Sequence, residues 1–162
     1  MRMLTGQQAA LAVGSLFGCN AVHSHFSRTY DPWEVTDNEG KTWRFVYDSS
    51  IHGSHRTGRQ QIPIGDGDYK VEMNSPKLEY SEMGKLQEVV RTLRHAGAVV
   101  NGSCGMHVHV DASKHTPQSL KNALSIMSST EDILFKALHV NESRVERRCQ
   151  KARETNADET PK

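Results

Sequence analysis

The segment from Asn101 to Asp111 constrains the fold more than any other part of the chain. It reads Asn-Gly-Ser-Cys-Gly-Met-His-Val-His-Val-Asp, a glycine-rich turn followed by alternating apolar and polar residues. Successive side chains of a strand point to opposite faces, so the alternation predicts a strand with His107, His109 and Asp111 on one face. The other face, predicted to be buried, consists of Met106, Val108 and Val110. At a rise of ~3.3 Å per residue, the histidine Cα atoms would lie roughly 7 Å apart, within reach of one metal ion or anionic ligand.

Further alternating segments predict an antiparallel sheet. Strands are expected at 33–35 and 42–47, joined by the polar turn 37–40 as a hairpin. Residues 69–75 alternate as well, with Glu72 on the polar face. The intervening segment 49–68 holds four glycines and no periodicity, which predicts a loop or flap.

The spacing of apolar residues predicts four helices. The first covers 4–27, and the second begins at a Ser81 cap and stops at Gly97 in a left-handed conformation. The third runs from a Thr116 cap to about His139, and a basic helix follows at 142–153. The predicted buried stripe of the third helix consists of Leu120, Leu124, Met127 and Leu134. Strands and helices arrive mixed with short links, so the predicted class is α+β with a largely antiparallel sheet packed with helices.

Length and charge restrict the classes of protein to consider. A chain of 162 residues and 18.1 kDa suits one domain, predicted at 1–153, with a disordered polar tail at 154–162. Twenty basic and nineteen acidic residues give a net charge of +1. We therefore expect neither a nucleic-acid partner nor a membrane partner. Three cysteines without a C-x-x-C pair favour reduced thiols and a cytoplasmic protein.

The two alternating strands together suggest a metal site. Glu72 facing His107 and His109 across one sheet would offer oxygen and nitrogen ligands to a divalent cation. A solvated pair of histidines and an exposed carboxylate are the competing interpretation. The turn around Gly105 could approach phosphate oxygens, but it matches neither a P-loop nor a dinucleotide fingerprint. Arg144, with Arg147 and Arg148, forms either an anion-binding patch or a solvated helix face.

Several motifs occur in one order that resembles the amidoligase family. That family belongs to the carboxylate-amine ligase superfamily of glutamine synthetase and glutamate-cysteine ligase. The resemblance covers about residues 4–150, and the string Ser-Cys-Gly-Met-His-Val-His-Val-Asp-Ala is its most specific part. The matching segments are 48–51, 71–76, 97–101, 103–112, 120–123 and Glu131.

The resemblance implies a glutamine-synthetase-like fold and ATP-dependent ligation of a small-molecule or peptide carboxylate to an amine. An acyl phosphate forms first, and Mg²⁺ or Mn²⁺ neutralises the phosphate charge. By similarity, His107 and Glu72 would be metal ligands, His109 would contact a nucleotide phosphate, and Gly105 would let the backbone approach the nucleotide.

Three further roles follow from the same resemblance. Asp48 and Ser50 correspond to a loop near the substrate, and Arg144 corresponds to an arginine that faces phosphate or substrate. These three residues are the predicted catalytic set.

The sequence departs from the family pattern at both ends. Family members usually begin with a strand that carries a Glu-x-Glu pair of metal carboxylates, and Met1 falls just after that place. The chain also stops shortly after Cys149, where the family normally continues. We therefore expect a partial domain, truncated at both ends, whose metal affinity and turnover are reduced.

Two alternatives remain open at this point. The first is a non-catalytic remnant or subunit that binds metal or nucleotide, as a homo-oligomer or with another chain completing its sheet. The second is a small zinc or iron enzyme that uses His107, His109 and Glu72.

Overall fold

The computed structural model describes residues 4–25, 29–65, 67–140 and 142–146. The helices are α1 (Gly6–Phe17), α2 (Met83–Ala96), α3 (Pro117–Ala137) and the single-turn α4 (Glu142–Val145). The strands are β1 (Ala21–His23), β2 (Trp33–Thr36), β3 (Thr42–Tyr47), β4 (Ser54–Thr57), β5 (Gln60–Pro63) and β6 (Val71–Asn74). Two 3-10 turns lie at Gly67–Tyr69 and Tyr80–Glu82. The chain is therefore an α+β protein, which confirms the predicted class.

The sheet is antiparallel and has the strand order β1-β2-β3-β6. The predicted hairpin is confirmed, since β2 pairs with β3 across the turn and Val35 lies opposite Trp43. β6 pairs with the other side of β3 and places Glu72 opposite Val46. β4 and β5 form a separate two-stranded hairpin.

The chain divides into two compact units, residues 1–105 and 106–162. The first contains α1, α2 and all six strands, and the second contains α3 and α4. The assignment of 1–153 to a single domain stays a prediction. The tail expected at 154–162 lies outside the described residues.

Local capping fixes the bounds of α1. The Thr5 hydroxyl accepts from the backbone N–H of Gln8, and the Gln8 side chain accepts from that of Thr5. Gly18 ends the helix with a φ of +67°. The prediction of a helix over 4–27 is therefore wrong for residues 18–25, because residues 21–23 pair with β2 instead. Residues 26 and 27 lie outside the described residues.

Gly14 has a packing role inside α1. A Cβ at this position would lie 2.6 Å from the carbonyl oxygen of Cys19. The chain after the helix can approach its last turn only because this residue has no side chain.

A 3-10 turn, and not a serine cap, begins α2. Ser81 lies within that turn, Glu82 occupies the cap position, and no side-chain cap bond forms there. The predicted Ser81 cap is therefore wrong. The predicted left-handed stop is confirmed, because Gly97 has a φ of +117°.

The hydrophobic core of the first unit lies between the sheet and the two long helices of that unit. It consists of Ala9, Ala10, Val13, Val35, Trp43, Phe45 and Val89. Trp43 and Phe45 alternate with exposed Arg44 along β3, so both rings point into the core. Burying each ring contributes roughly 1.5–3 kcal/mol.

A buried carboxylate connects the β2–β3 turn to α2. Asp37 accepts from the backbone N–H groups of Glu39 and Lys41, the indole Nε1 of Trp43 and Nζ of Lys85, at 2.9–3.2 Å. Its side chain is 1% exposed. Burial raises the pKa of Asp37, but these hydrogen bonds outweigh burial and lower it to about 2.

A second ion pair reinforces this connection. Lys41 Nζ donates to both carboxylate oxygens of Glu82 at 2.5 and 2.6 Å. The pKa of Glu82 is lowered, first by the backbone N–H of Glu79 and then by Lys41. The turn is thus held at two points on the N-terminal part of α2.

The start of α3 agrees with the prediction, but the predicted burial of its apolar stripe is wrong. The Thr116 hydroxyl accepts from the backbone N–H of Ser119, and Pro117 is the first helical residue. The stripe predicted to be buried is exposed, with Leu124 at 66% and Met127 at 54%; Leu120 and Leu134 are exposed too. Helical spacing defines an apolar face but supplies no partner for it.

Within the described residues, no helix combines the length and apolar character needed to cross a membrane.

Two other predicted segments differ from the structure. Residues 106–110 are not part of a strand, and Val108 is 76% exposed. Alternation therefore did not produce a strand here, since a strand also needs a partner for its backbone groups. The loop predicted at 49–68 contains the β4–β5 hairpin, whose two-residue turn begins at Gly58 with a φ of +61°.

We predict that Asp37→Asn lowers the free energy of unfolding by about 2 kcal/mol at pH 7, because an amide cannot accept from all these donors and leaves Lys85 without its buried counter-charge. The folded-state pKa lies below the ordinary value of 3.8. The carboxylate therefore stabilises the wild type above pH 4, and this contribution is lost as the pH falls towards 2. Urea unfolding followed by tryptophan fluorescence measures both effects.

Glu39→Gln is the matched control. Glu39 also contacts Lys85 Nζ, at 3.1 Å, but its side chain is 60% exposed, so its loss should change stability little. Equal destabilisation by the two variants, or an unchanged acid slope in Asp37→Asn, would contradict this account.

Candidate functional site

The loop after β3 brings two predicted catalytic residues into contact. Asp48 N donates to the Lys70 carbonyl at 2.9 Å, which extends the pairing with the segment before β6. Asp48 Oδ1 accepts from the backbone N–H of Ser50 at 2.8 Å, and Oδ2 accepts from the Ser50 hydroxyl at 3.0 Å. This local turn fixes the carboxylate at the end of a core strand. The catalytic roles of Asp48 and Ser50 stay predictions.

The glycine-rich segment folds as a turn organised by Asn101. Asn101 Oδ1 accepts from the Ser103 N–H at 2.9 Å and from the Ser103 hydroxyl at 2.5 Å. The backbone N–H of Cys104 donates to the Asn101 carbonyl at 3.0 Å. Asparagine commonly stabilises turns in this way, so the residues before Gly105 have a defined conformation.

Hydrogen bonds join this turn to the loop after β3. Asn101 Nδ2 donates to the His52 carbonyl at 2.7 Å and to the Ser54 hydroxyl at 2.8 Å. The backbone N–H of His52 donates to the Ser103 hydroxyl at 2.9 Å. Residues 48–54 and 101–105, here called the loop–turn site, are thus one hydrogen-bonded structure within the first unit. Three segments of the family resemblance, 48–51, 97–101 and 103–112, contribute residues to it.

Basic residues lie in the segment that follows Asp48 in the loop–turn site. From residue 49 to residue 65 the chain contains His52, His55, Arg56 and Arg59 and no acidic residue. The β4–β5 hairpin makes up most of this segment, and its base is held by Asn101 through Ser54. Asp48, Asp66 and Asp68 flank the segment in the sequence, so the charges of the region are mixed.

A small cavity of about 110 Å³ borders the site. Its wall includes Phe45, Val71, Met73 and Leu93, together with Ser54 of the loop–turn site. The cavity therefore connects the hydrogen-bonded loop to the core of the first unit.

Glu72 has the orientation that its strand pattern predicts. Val71 and Met73 pack against the core cluster, so Glu72 between them lies on the opposite face of β6. It is half-buried and belongs to the first unit. Its role as a metal ligand stays a prediction.

The remaining predicted site residues are not gathered into a metal centre. Gly105 is exposed at the end of the first unit. His107 and His109 are exposed, and Arg144 is half-buried on α4; these three belong to the second unit. Arg147 and Arg148 lie outside the described residues. Among the residues that the structure describes, no group of three or more His, Cys, Asp or Glu side chains is placed to hold a metal ion.

Sequence reasoning missed the residues that build the loop–turn site. The sequence places Asn101 and Ser103 in a glycine-rich turn within the family-like segments, but it assigns no role to either residue or to His52. The Asn-x-Ser spacing of Asn101 and Ser103 is typical of a local turn in which the asparagine side chain accepts from the residue two positions later. The bonds to His52 and Ser54 span 47 to 51 residues and have no local sequence signal.

A family model described as "Putative amidoligase enzyme" matches residues 1–160. The chain belongs to this amidoligase family. The match spans both segments of the loop–turn site and all seven predicted site residues, and the family description makes this amidoligase a ligase-type enzyme in general. No curated protein and no solved structure matches the chain.

We predict that Asn101→Ala releases residues 52–54 of this amidoligase, because it removes the acceptor for Ser103 and the donor for His52 and Ser54. Hydrogen–deuterium exchange at the His52 amide should become at least about tenfold faster, which corresponds to about 1.4 kcal/mol of local stability.

Asn122→Ala is the control variant, since Asn122 makes an exposed amide contact with Gln118 on α3. It should leave exchange at His52 unchanged. Unchanged protection of His52 in Asn101→Ala would show that the loop is held by other contacts.

Proposed function

We propose that this amidoligase is an ATP-dependent carboxylate-amine ligase. A carboxylate oxygen of the acid attacks the γ-phosphorus of ATP, and ADP leaves, giving an acyl phosphate. The amine nitrogen then attacks the acyl carbon, inorganic phosphate leaves and the nitrogen loses a proton, which gives the amide. The substrates are a small-molecule or peptide carboxylate and an amine.

The family match over residues 1–160 is the observation that carries this proposal. The loop–turn site supports it, because hydrogen bonds hold the Asp48 loop against the turn that leads to Gly105.

Asp48 is suited to bind the amine substrate. Its two carboxylate oxygens accept from Ser50, and a carboxylate offers about four acceptor positions. The remaining positions suit an ammonium or amine N–H. In this proposal Ser50 orients the carboxylate, and Arg144 binds the acid or its phosphate through paired N–H groups.

ATP and Mg²⁺ or Mn²⁺ are the proposed cofactors, with His107 and Glu72 as metal ligands and His109 and Gly105 at the nucleotide. These roles rest on the family resemblance. Among the described residues, these side chains are not brought together as a metal centre.

The glutamine-synthetase-like form of the fold, the cytoplasmic location and a homo-oligomeric or two-chain assembly also stay predictions. They depend on the superfamily relationship and on the cysteine content, not on the geometry of the loop–turn site.

Hydroxylamine provides a direct test of the acyl phosphate. With ATP, Mg²⁺ and a panel of carboxylic acids, we predict ADP formation and a hydroxamate, because hydroxylamine replaces the amine as nucleophile. Asp48→Asn and His109→Ala should each reduce hydroxamate formation at least about 100-fold, the scale of loss when a positioned polar group is removed from an active site. Mass spectrometry of the products measures both.

His95→Ala is the matched control, since His95 is an exposed residue near the end of α2, outside the resembling segments. It should retain full activity. ATP binding without hydroxamate from any acid in the panel would contradict the ligase proposal and favour a non-catalytic nucleotide-binding protein.

Metal content separates the ligase from a zinc or iron enzyme. We predict that dialysed protein contains less than about 0.1 equivalent of zinc or iron and that added Mg²⁺ restores ADP formation, because hard cations bind oxygen-rich sites weakly and reversibly. Elemental analysis with parallel assays measures this. Stoichiometric zinc that survives dialysis and is lost in His107→Ala would support the zinc enzyme instead.

A further inference from the structure

A group of histidine, aspartate and tryptophan side chains lies at the β1 edge of the sheet, outside the loop–turn site. His23 is the last residue of β1 and lies opposite Trp33 on β2. Its imidazole packs against the indole of Trp33 with ring centroids 4.9 Å apart. The His25 ring stands perpendicular to the His23 ring at a centroid distance of 5.2 Å. Asp31 completes the group, because its Oδ1 accepts from His23 Nε2 at 2.7 Å.

The contact with Asp31 determines which nitrogen of His23 is available to a ligand. A carboxylate only accepts, so Nε2 carries the hydrogen, and the neutral imidazole then has its lone pair on Nδ1. A carboxylate bonded to the far nitrogen is the usual support of a metal-binding histidine, since it fixes the tautomer and makes the ring more basic. Asp31 and Trp33 together therefore orient His23 as a nitrogen ligand.

Asp31 makes this contact from an unfavourable backbone conformation. Its φ is +38°, in a region that residues with a side chain seldom adopt, although aspartate tolerates it better than most. Such conformations persist where surrounding contacts require them, and they concentrate at functional sites. The bond to His23 is a contact that Asp31 makes in this conformation.

His25 offers a second nitrogen on the same side of the chain. Pairing of the two strands continues past β1, since the backbone N–H of Ser24 donates to the Pro32 carbonyl at 2.8 Å. His23 and His25 are two positions apart in this extended segment, so their side chains leave it on one side. Both residues are exposed, which lets the imidazoles turn towards a shared ion.

We propose that His23 and His25 bind a late first-row divalent cation, with Asp31 supporting His23 through Nε2. Imidazole suits copper, nickel and zinc, whereas Mg²⁺ prefers oxygen ligands, and Cu²⁺ binds such donors most tightly. Two protein ligands leave the other coordination positions to water, so we expect binding to be reversible. The inference does not depend on the proposed ligase activity or on its Mg²⁺ or Mn²⁺.

The indole of Trp33 gives a local test. Trp33 and Trp43 are the two tryptophans of the chain, and Trp43 Nε1 donates to Asp37, which follows the other end of β2. In nitrogen–proton NMR spectra of the whole protein titrated with CuCl₂, we expect the Trp33 indole N–H signal to broaden before that of Trp43 and to saturate near one equivalent. The same concentration of MgCl₂ should change neither signal.

Two variants test the roles of the side chains. His25→Ala removes one ligand and should weaken Cu²⁺ binding at least about tenfold. Asp31→Asn removes the supporting charge and should weaken binding about tenfold, since asparagine tolerates the backbone conformation of Asp31. His25 is exposed, so we expect its variant to fold, and the Trp43 indole signal of each variant reports the core.

His109→Ala is the matched control, because it removes one histidine of the other exposed His-x-His pair. It should leave the response of Trp33 unchanged. Equal broadening of the two tryptophans, wild-type affinity in folded His25→Ala, or loss of the Trp33 response in His109→Ala would overturn the inference. Wild-type affinity in Asp31→Asn would overturn the supporting role of Asp31.

Discussion

Asp37 is a carboxylate with almost no solvent contact, placed where the β2–β3 turn meets α2. It accepts from two backbone amides of its own turn, from the core indole of Trp43 and from Lys85 on the helix. An unpaired charge at this position would cost several kcal/mol. The hairpin, the core tryptophan and the helix must therefore adopt their positions together, and the core of the first unit depends on this one carboxylate.

The loop–turn site uses the same principle at the other end of β3. There a side-chain amide, Asn101, satisfies the backbone of His52 and the hydroxyl of Ser54 while its oxygen holds Ser103. A polar residue that bonds two segments holds them in register at little cost, because each bond replaces one to water. The loop after β3 and the turn at 101–105 are thus positioned against each other by polar contacts, beside a small cavity that borders the core.

Much of the fold follows from local sequence. The Thr116-Pro117 start, the Gly97 stop, the β2–β3 hairpin and the two faces of β6 were all predictable, because each depends on residues within a few positions of one another. The site was less predictable. Asp48 and Ser50 were identified and found in contact, but the Asn101 bonds to His52 and Ser54 were not foreseen, because they join segments about 50 residues apart.

The sequence by itself determined the class of the protein and its membership of the amidoligase family. It also determined the positions of five elements: α2, α3, β2, β3 and β6. Caps, turns and motifs are formed by residues close together in the chain, so the sequence alone can specify them. Tertiary structure decided which apolar faces are covered. Leu124 and Val108 have the spacing of buried residues and are exposed, whereas residues 21–23, read as helix, pair with β2. The physical reason is that periodicity specifies the face a segment offers, and only a partner distant in the chain can bury that face or complete its backbone hydrogen bonds.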